Sequence, residues 1–122
     1  MPDLSGKRVL DLGSGLGGNS VAAAKAGADV VAIEPDSRIL EISAQLIGLK
    51  YPEVIDKIEF VNTDTVRYRS EYEFSYVICD EVFEHINDLA AALEQMALLI
   101  SEDGKIVSSW GPLWESPFGG HQ

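Results

Sequence analysis

Five short apolar runs alternate with helix-compatible stretches along this 122-residue chain, and that alternation constrains the fold more than any other feature. Residues 9–12, 29–33, 58–61, 74–79 and 105–110 read as strands. The central ones are nearly continuous apolar runs, the pattern of strands covered on both faces. Residues 17–26 are small and helix-compatible, and Gly27 stands where a helix would end. Asp36 is a candidate N-cap. Ile39, Ile42, Leu46 and Leu49 follow at spacings of three and four, which predicts one buried helical face before Tyr51-Pro52 breaks the pattern. A third helix is expected from Asn87 or Asp88, with Leu89, Leu93, Met96 and Ile100 as its buried stripe and Gly104 ending the turn that follows. Strands alternating with amphipathic helices form βαβ units and a parallel sheet. Right-handed crossovers then leave few topologies. After Trp110 the pattern stops. Residues 111–122 hold five glycines and prolines and read as a loop-like tail of a single domain, 1–122.

The first strand ends in Asp11-Leu12-Gly13-Ser14-Gly15-Leu16-Gly17-Gly18. Glycine permits a tight turn with positive φ and lets a ligand approach the backbone. A helix behind such a loop offers unpaired N–H groups. By itself the pattern describes only a strand-to-helix turn. Following a strand and opening a helix, it is the context of a nucleotide site. Glu34 lies at the end of the second strand, 21 residues after Gly13, where a carboxylate accepts from both ribose hydroxyls. Its plain alternative is an exposed acid at a strand end. These features suit NAD and S-adenosylmethionine alike. Asp11 tilts the choice, because a carboxylate two residues before the first glycine repels a pyrophosphate and suits an ammonium group, directly or through water. Asn62-Thr63-Asp64-Thr65 follows the third strand. Asp64 there is either an acceptor for an adenine amine or a helix N-cap.

Composition bears on partners. Twenty acidic residues against nine basic ones give a formal net charge of −11, which argues against a nucleic-acid substrate. No apolar run approaches the ~20 residues of a membrane span. The N-terminus has no apolar signal-peptide core, so a cytoplasmic location is expected. Cys79 stands alone in an apolar run and reads as a buried thiol. His85 and His121 lack metal-ligand spacing, and no metal is expected.

With these residues in place, the chain resembles the class I, Rossmann-like S-adenosylmethionine-dependent methyltransferases from Gly6 to about Trp110. Val-Leu-Asp-Leu-Gly-Ser-Gly-Leu-Gly is similar to the family's first motif. Val-Val-Ala-Ile-Glu-Pro resembles its second strand with the ribose-binding acid. Asn-Thr-Asp-Thr resembles its adenine-site segment, and Cys-Asp-Glu-Val-Phe-Glu-His-Ile its fourth-strand segment. Two local departures stand out. Ser75 occupies a place where the family often has an acid, and Glu102-Asp103-Gly104 replaces its Pro-Gly-Gly. The resemblance implies an α/β three-layer sandwich with parallel order 3-2-1-4-5. It also implies truncation, since the family's C-terminal β-hairpin and the helix before its first strand are not matched.

The resemblance further implies S-adenosylmethionine as cofactor, held by Asp11, Gly13, Gly15, Gly17, Glu34, Asp64, Thr65 and Asp80. It implies methyl transfer to a small-molecule acceptor, with oxygen, nitrogen and carbon nucleophiles all open. His85 would lie near the transferred methyl and accept a proton from a hydroxyl, or else cap or pack the following helix. Glu81 and Glu84 read as local structural or pocket-lining groups. Trp110, Trp114, Phe118 and His121 either line an acceptor pocket or cover the core of a shortened fold. Two other functions compete: a cofactor-binding fragment without turnover, and an NAD-binding oxidoreductase domain, which Asp11 disfavours. The fifth strand lacks its usual neighbour, so a homodimer or a missing segment is expected along that edge.

Overall fold

The computed structural model describes residues 3–79 and 89–107. Strand β1 (Arg8–Leu12) leads through the glycine loop into α1 (Gly18–Lys25), then β2 (Asp29–Ile33), α2 (Ser37–Lys50), a 3-10 turn (Ile55–Lys57) and β3 (Ile58–Val61). Residues 62–73 form turns and bends rather than a crossover helix. Then come β4 (Phe74–Ile78), α3 (Leu89–Leu99) and β5 (Ile100–Val107). The five strands form one sheet in the order β3-β2-β1-β4-β5, and every pairing is parallel. That is the expected order, and β1 and β4 are neighbours as expected.

Alternate residues of each strand face opposite layers. Val9, Val30, Ala32, Ile58 and Ile78 pack with Val21, Ala23 and Ala24 of α1 and Ile47 of α2. Leu10, Leu12, Ile33, Val77 and Cys79 pack with Met96 and Leu99 of α3. The Cys79 thiol is buried, as read from its apolar run.

Three expectations are corrected. The stripe Ile39, Ile42, Leu46 and Leu49 is not the buried face of α2: Ile42 is 48% and Leu49 81% exposed, whereas Ser43 and Ile47 are buried. Gly17 supplies the reason. A Cβ there would stand 2.6 Å from the Ile47 Cδ1, so α2 approaches the start of α1 through a glycine and Ile47. That contact turns the helix about one residue from the expected face. In α3 the buried positions are Ala92, Gln95, Met96 and Leu99, while Leu93 is exposed and Ile100 already belongs to β5. The fifth strand begins at Ile100, not Lys105. Ile100 pairs with Phe74 and Lys105 with Tyr76, so residues 101–104 bulge out between two points of the same ladder. The expected turn at Gly104 is therefore a bulge within the strand. Residues 108–110, the rest of the expected strand, lie outside the described residues.

Candidate functional site

The C-terminal ends of β1, β2 and β3 converge, and ligand sites of open α/β sheets form at such ends. At β1, Gly13, Gly15 and Gly17 all have positive φ, at 64°, 56° and 92°. Gly17 is also the N-cap of α1, with no side chain to cap the helix. The loop is tied down by its own amides. The Ser14 N–H donates to the Ile33 carbonyl at 2.8 Å, and the Gly17 N–H to the Ser14 carbonyl at 2.9 Å. The Gly15 N–H donates to Glu34 Oε1 at 2.9 Å. Three of the loop's amide donors are thus taken up inside the protein.

Two buried carboxylates flank the loop. Asp11, 1% exposed, accepts from the Ser20 hydroxyl of α1 at 2.6 Å. That bond ties the end of β1 to the first turn of α1 and fixes the carboxylate beneath the loop. Glu34, 8% exposed, is not the exposed strand-end acid of the plain alternative. Its second oxygen accepts from the Asp36 N–H at 3.0 Å, and Asp36 caps α2 by accepting from the Arg38 and Ile39 amides. Asn62 spans the ends of β2 and β3, its side-chain amide donating to the Glu34 carbonyl at 2.9 Å and the Pro35 carbonyl at 3.0 Å.

Asp64 has a local task. It accepts from the Arg67 N–H at 2.8 Å and meets the Arg67 guanidinium at 3.5 Å, capping the turn at residues 65–67. That is the capping alternative, realised on a turn instead of a helix. Thr65 is buried beside it. Asp80 and His85 lie outside the described residues, as do Glu81, Glu84, Trp110, Trp114, Phe118 and His121. Among the described residues no group of three or more His, Cys, Asp or Glu side chains is placed to hold a metal.

Three contributors escaped the sequence reading of the site. Ser20 anchors Asp11, and Asn62 locks two strand ends together. The Ser14 hydroxyl is, among the described residues, the buried side-chain oxygen without a hydrogen-bond partner. No glycine spacing signals a hydroxyl at Ser14. The signal for Ser20 was a small polar residue amid the alanines of α1.

An S-adenosylmethionine group fits what is present. A Cβ built on Gly15 meets no described atom within 4 Å, so the loop faces open space at its crest. The Ser14 hydroxyl is an unmatched polar atom at that loop. The nearby charged groups are carboxylates, which suit hydroxyls and an ammonium better than phosphates.

The family model described as methyltransferase domain matches residues 2–116. Curated relatives include a ubiquinone biosynthesis O-methyltransferase of Ralstonia nicotianae, 33% identical over 106 residues, covering 87% of this chain and 44% of the relative. The protein of the same name from Bordetella avium is 35% identical over 108 residues, covering 87% and 43%. The chain therefore spans less than half the length of these relatives. Among solved structures, the YcgJ protein of Bacillus subtilis superposes with a TM-score of 0.76 at 17% identity, over 86% of this chain and 44% of its own. The glycopeptide N-methyltransferase MtfA, in complex with S-adenosyl-L-methionine, superposes with a TM-score of 0.75 at 17% identity, over 84% and 43%. At such identities these structures speak for the fold.

Proposed function

The chain belongs to the methyltransferase domain family, whose model spans residues 2–116, and from that premise we propose that it binds S-adenosylmethionine across residues 13–17 and serves methyl transfer to a small-molecule acceptor. The observation that carries this reading is the state of the loop amides. With the Ser14, Gly15 and Gly17 donors engaged by the protein, and Asp11 and Glu34 buried beside them, three loop amides are closed to a phosphate and the charges beside them are negative. A nucleoside cofactor without phosphate suits it, and the NAD reading loses support.

When bound, the cofactor supplies a methyl group made electrophilic by its sulfonium. The chain's residues supply position. Glu34 accepts the ribose hydroxyls with lone pairs not used by Gly15 and Asp36. Asp11 sets a negative charge under the loop for the ammonium. Asp64 and Thr65 border the adenine end, Asp80 the methionine end, and His85 takes the acceptor's proton. The curated relatives are named O-methyltransferases, which favours a hydroxyl oxygen as the nucleophile. The chain's place of action on this reading is the cytoplasm; no helix among the described residues is long and apolar enough to cross a membrane. The 122 residues act as one cofactor-binding unit, completed along β5 by a second copy or a further segment.

Coverage of only 44% of a relative favours a second reading, cofactor binding without turnover. Transfer of isotope-labelled methyl from S-adenosylmethionine to a panel of small hydroxylated molecules separates the two. Incorporation that falls by about a hundredfold or more in His85→Ala supports the first reading, about the least that a lost general base costs. Binding with no incorporation into any acceptor leaves the second.

A further inference from the structure

Glu34 does more in this structure than face a ribose. One carboxylate oxygen holds the Gly15 amide of the glycine loop at 2.9 Å, and the other holds the Asp36 amide, the N-cap of α2, at 3.0 Å. A single buried side chain thus joins the crest of the loop to the start of the helix that follows β2. Neither bond involves a ligand. Gly15 has φ of 56°, and a Cβ built there would meet no described side chain or backbone atom. The Cβ direction at Gly15 is open, and the Gly15 amide is held by Glu34. Ser14 and Gly17 on either side are held by backbone carbonyls, so Gly15 is the loop amide whose position depends on a side chain.

We propose that Glu34 is a positioning residue for the glycine loop, fixing Gly15 through its carboxylate independently of any ribose hydroxyl it accepts. The proposal rests on the cofactor reading for its consequence in binding, but the loop geometry itself is testable without a cofactor. Buried, the bond is charge-assisted and strong enough to select one loop conformation. The loop is then preorganised, and its ordering does not have to be supplied by the ligand. The Gly15 donor is also closed to anions, since a phosphate would have to displace a carboxylate to reach it.

The test compares wild type with Glu34→Gln, Glu34→Asp and Glu34→Ala in the 122-residue chain. Gln keeps one carbonyl acceptor at the same reach but sets an NH2 where the second oxygen stood and loses the charge. Asp keeps the charge and loses a methylene of reach. Ala removes both. Without ligand, hydrogen exchange at the Gly15 amide is expected to accelerate about tenfold or more in the Asp and Ala variants and by less in Gln, whose single oxygen serves either Gly15 or Asp36 and carries no charge. The second arm measures affinity for S-adenosylhomocysteine and for its 2′,3′-dideoxy analogue. The dideoxy analogue is expected to lose about tenfold in Asp and Ala and less in Gln, which keeps one acceptor. Unchanged Gly15 exchange in Glu34→Asp, or dideoxy affinity indifferent to Glu34→Ala, would overturn the proposal. If wild type binds neither compound, the cofactor reading fails, and the Gly15 amide alone decides the positioning role. Should the Ala variant not fold, Glu34→Asp against wild type carries both arms.

Discussion

Asp11 is buried at the end of β1 with a serine hydroxyl 2.6 Å from its Oδ2, and that pair shows how much of the site rests on residues outside the motif. A buried carboxylate robbed of a donor costs about 1–3 kcal/mol. Ser20→Ala is therefore expected to lower stability by that amount in urea denaturation. In the Asp11→Asn background the same change should cost clearly less, since a neutral amide needs the hydroxyl less. Equal costs in both backgrounds would mean that the bond contributes nothing specific. Asp11, the loop glycines and Glu34 were legible because each has a fixed place relative to a strand end. Ser20 and Asn62 were not. A serine in a helix or an asparagine after a strand has many ordinary uses, and only the convergence of three strand ends assigns one. Asp64 was legible as one of two roles, and its bonds to Arg67 show the capping role in use.

At the scale of the element, α2 is the instructive case. Its sequence is apolar at Ile39, Leu40, Ile42, Leu46, Ile47 and Leu49, so two overlapping faces satisfy helical spacing. Periodicity does not choose between them. The choice comes from a contact remote in sequence, Ile47 seated against Gly17, and a chain position 30 residues away is invisible to a window of 14. The order of strands and helices was legible because it depends only on local runs. The bulge in β5 was not, because it arises from register against β4. Ile47→Ala is expected to cost about 2–5 kcal/mol in denaturant unfolding, and Leu49→Ala, on the exposed face, less than about 0.5 kcal/mol. A larger cost at Leu49 than at Ile47 would show that α2 sits in the orientation its sequence stripe suggests.

For the molecule as a whole, β5 is the outer strand of the described sheet and β3 the other, and β5 carries a buried Val107 beside a half-buried Ile106. An edge of that kind needs a cover. Sedimentation at tens of micromolar is expected to show a dimer, or a monomer whose β5 amides are protected from exchange by chain folded over them. A monomer with β5 amides exchanging freely would contradict that account. Three strand ends meet at a loop whose Ser14, Gly15 and Gly17 donors are engaged and whose neighbours are acids, and that whole arrangement favours the cofactor. Titration calorimetry of the 122-residue chain with S-adenosylmethionine, and separately with NAD, tests it most directly. Saturable binding of S-adenosylmethionine and none of NAD at the same concentrations is the expected result. Binding of NAD with indifference to S-adenosylmethionine would contradict it.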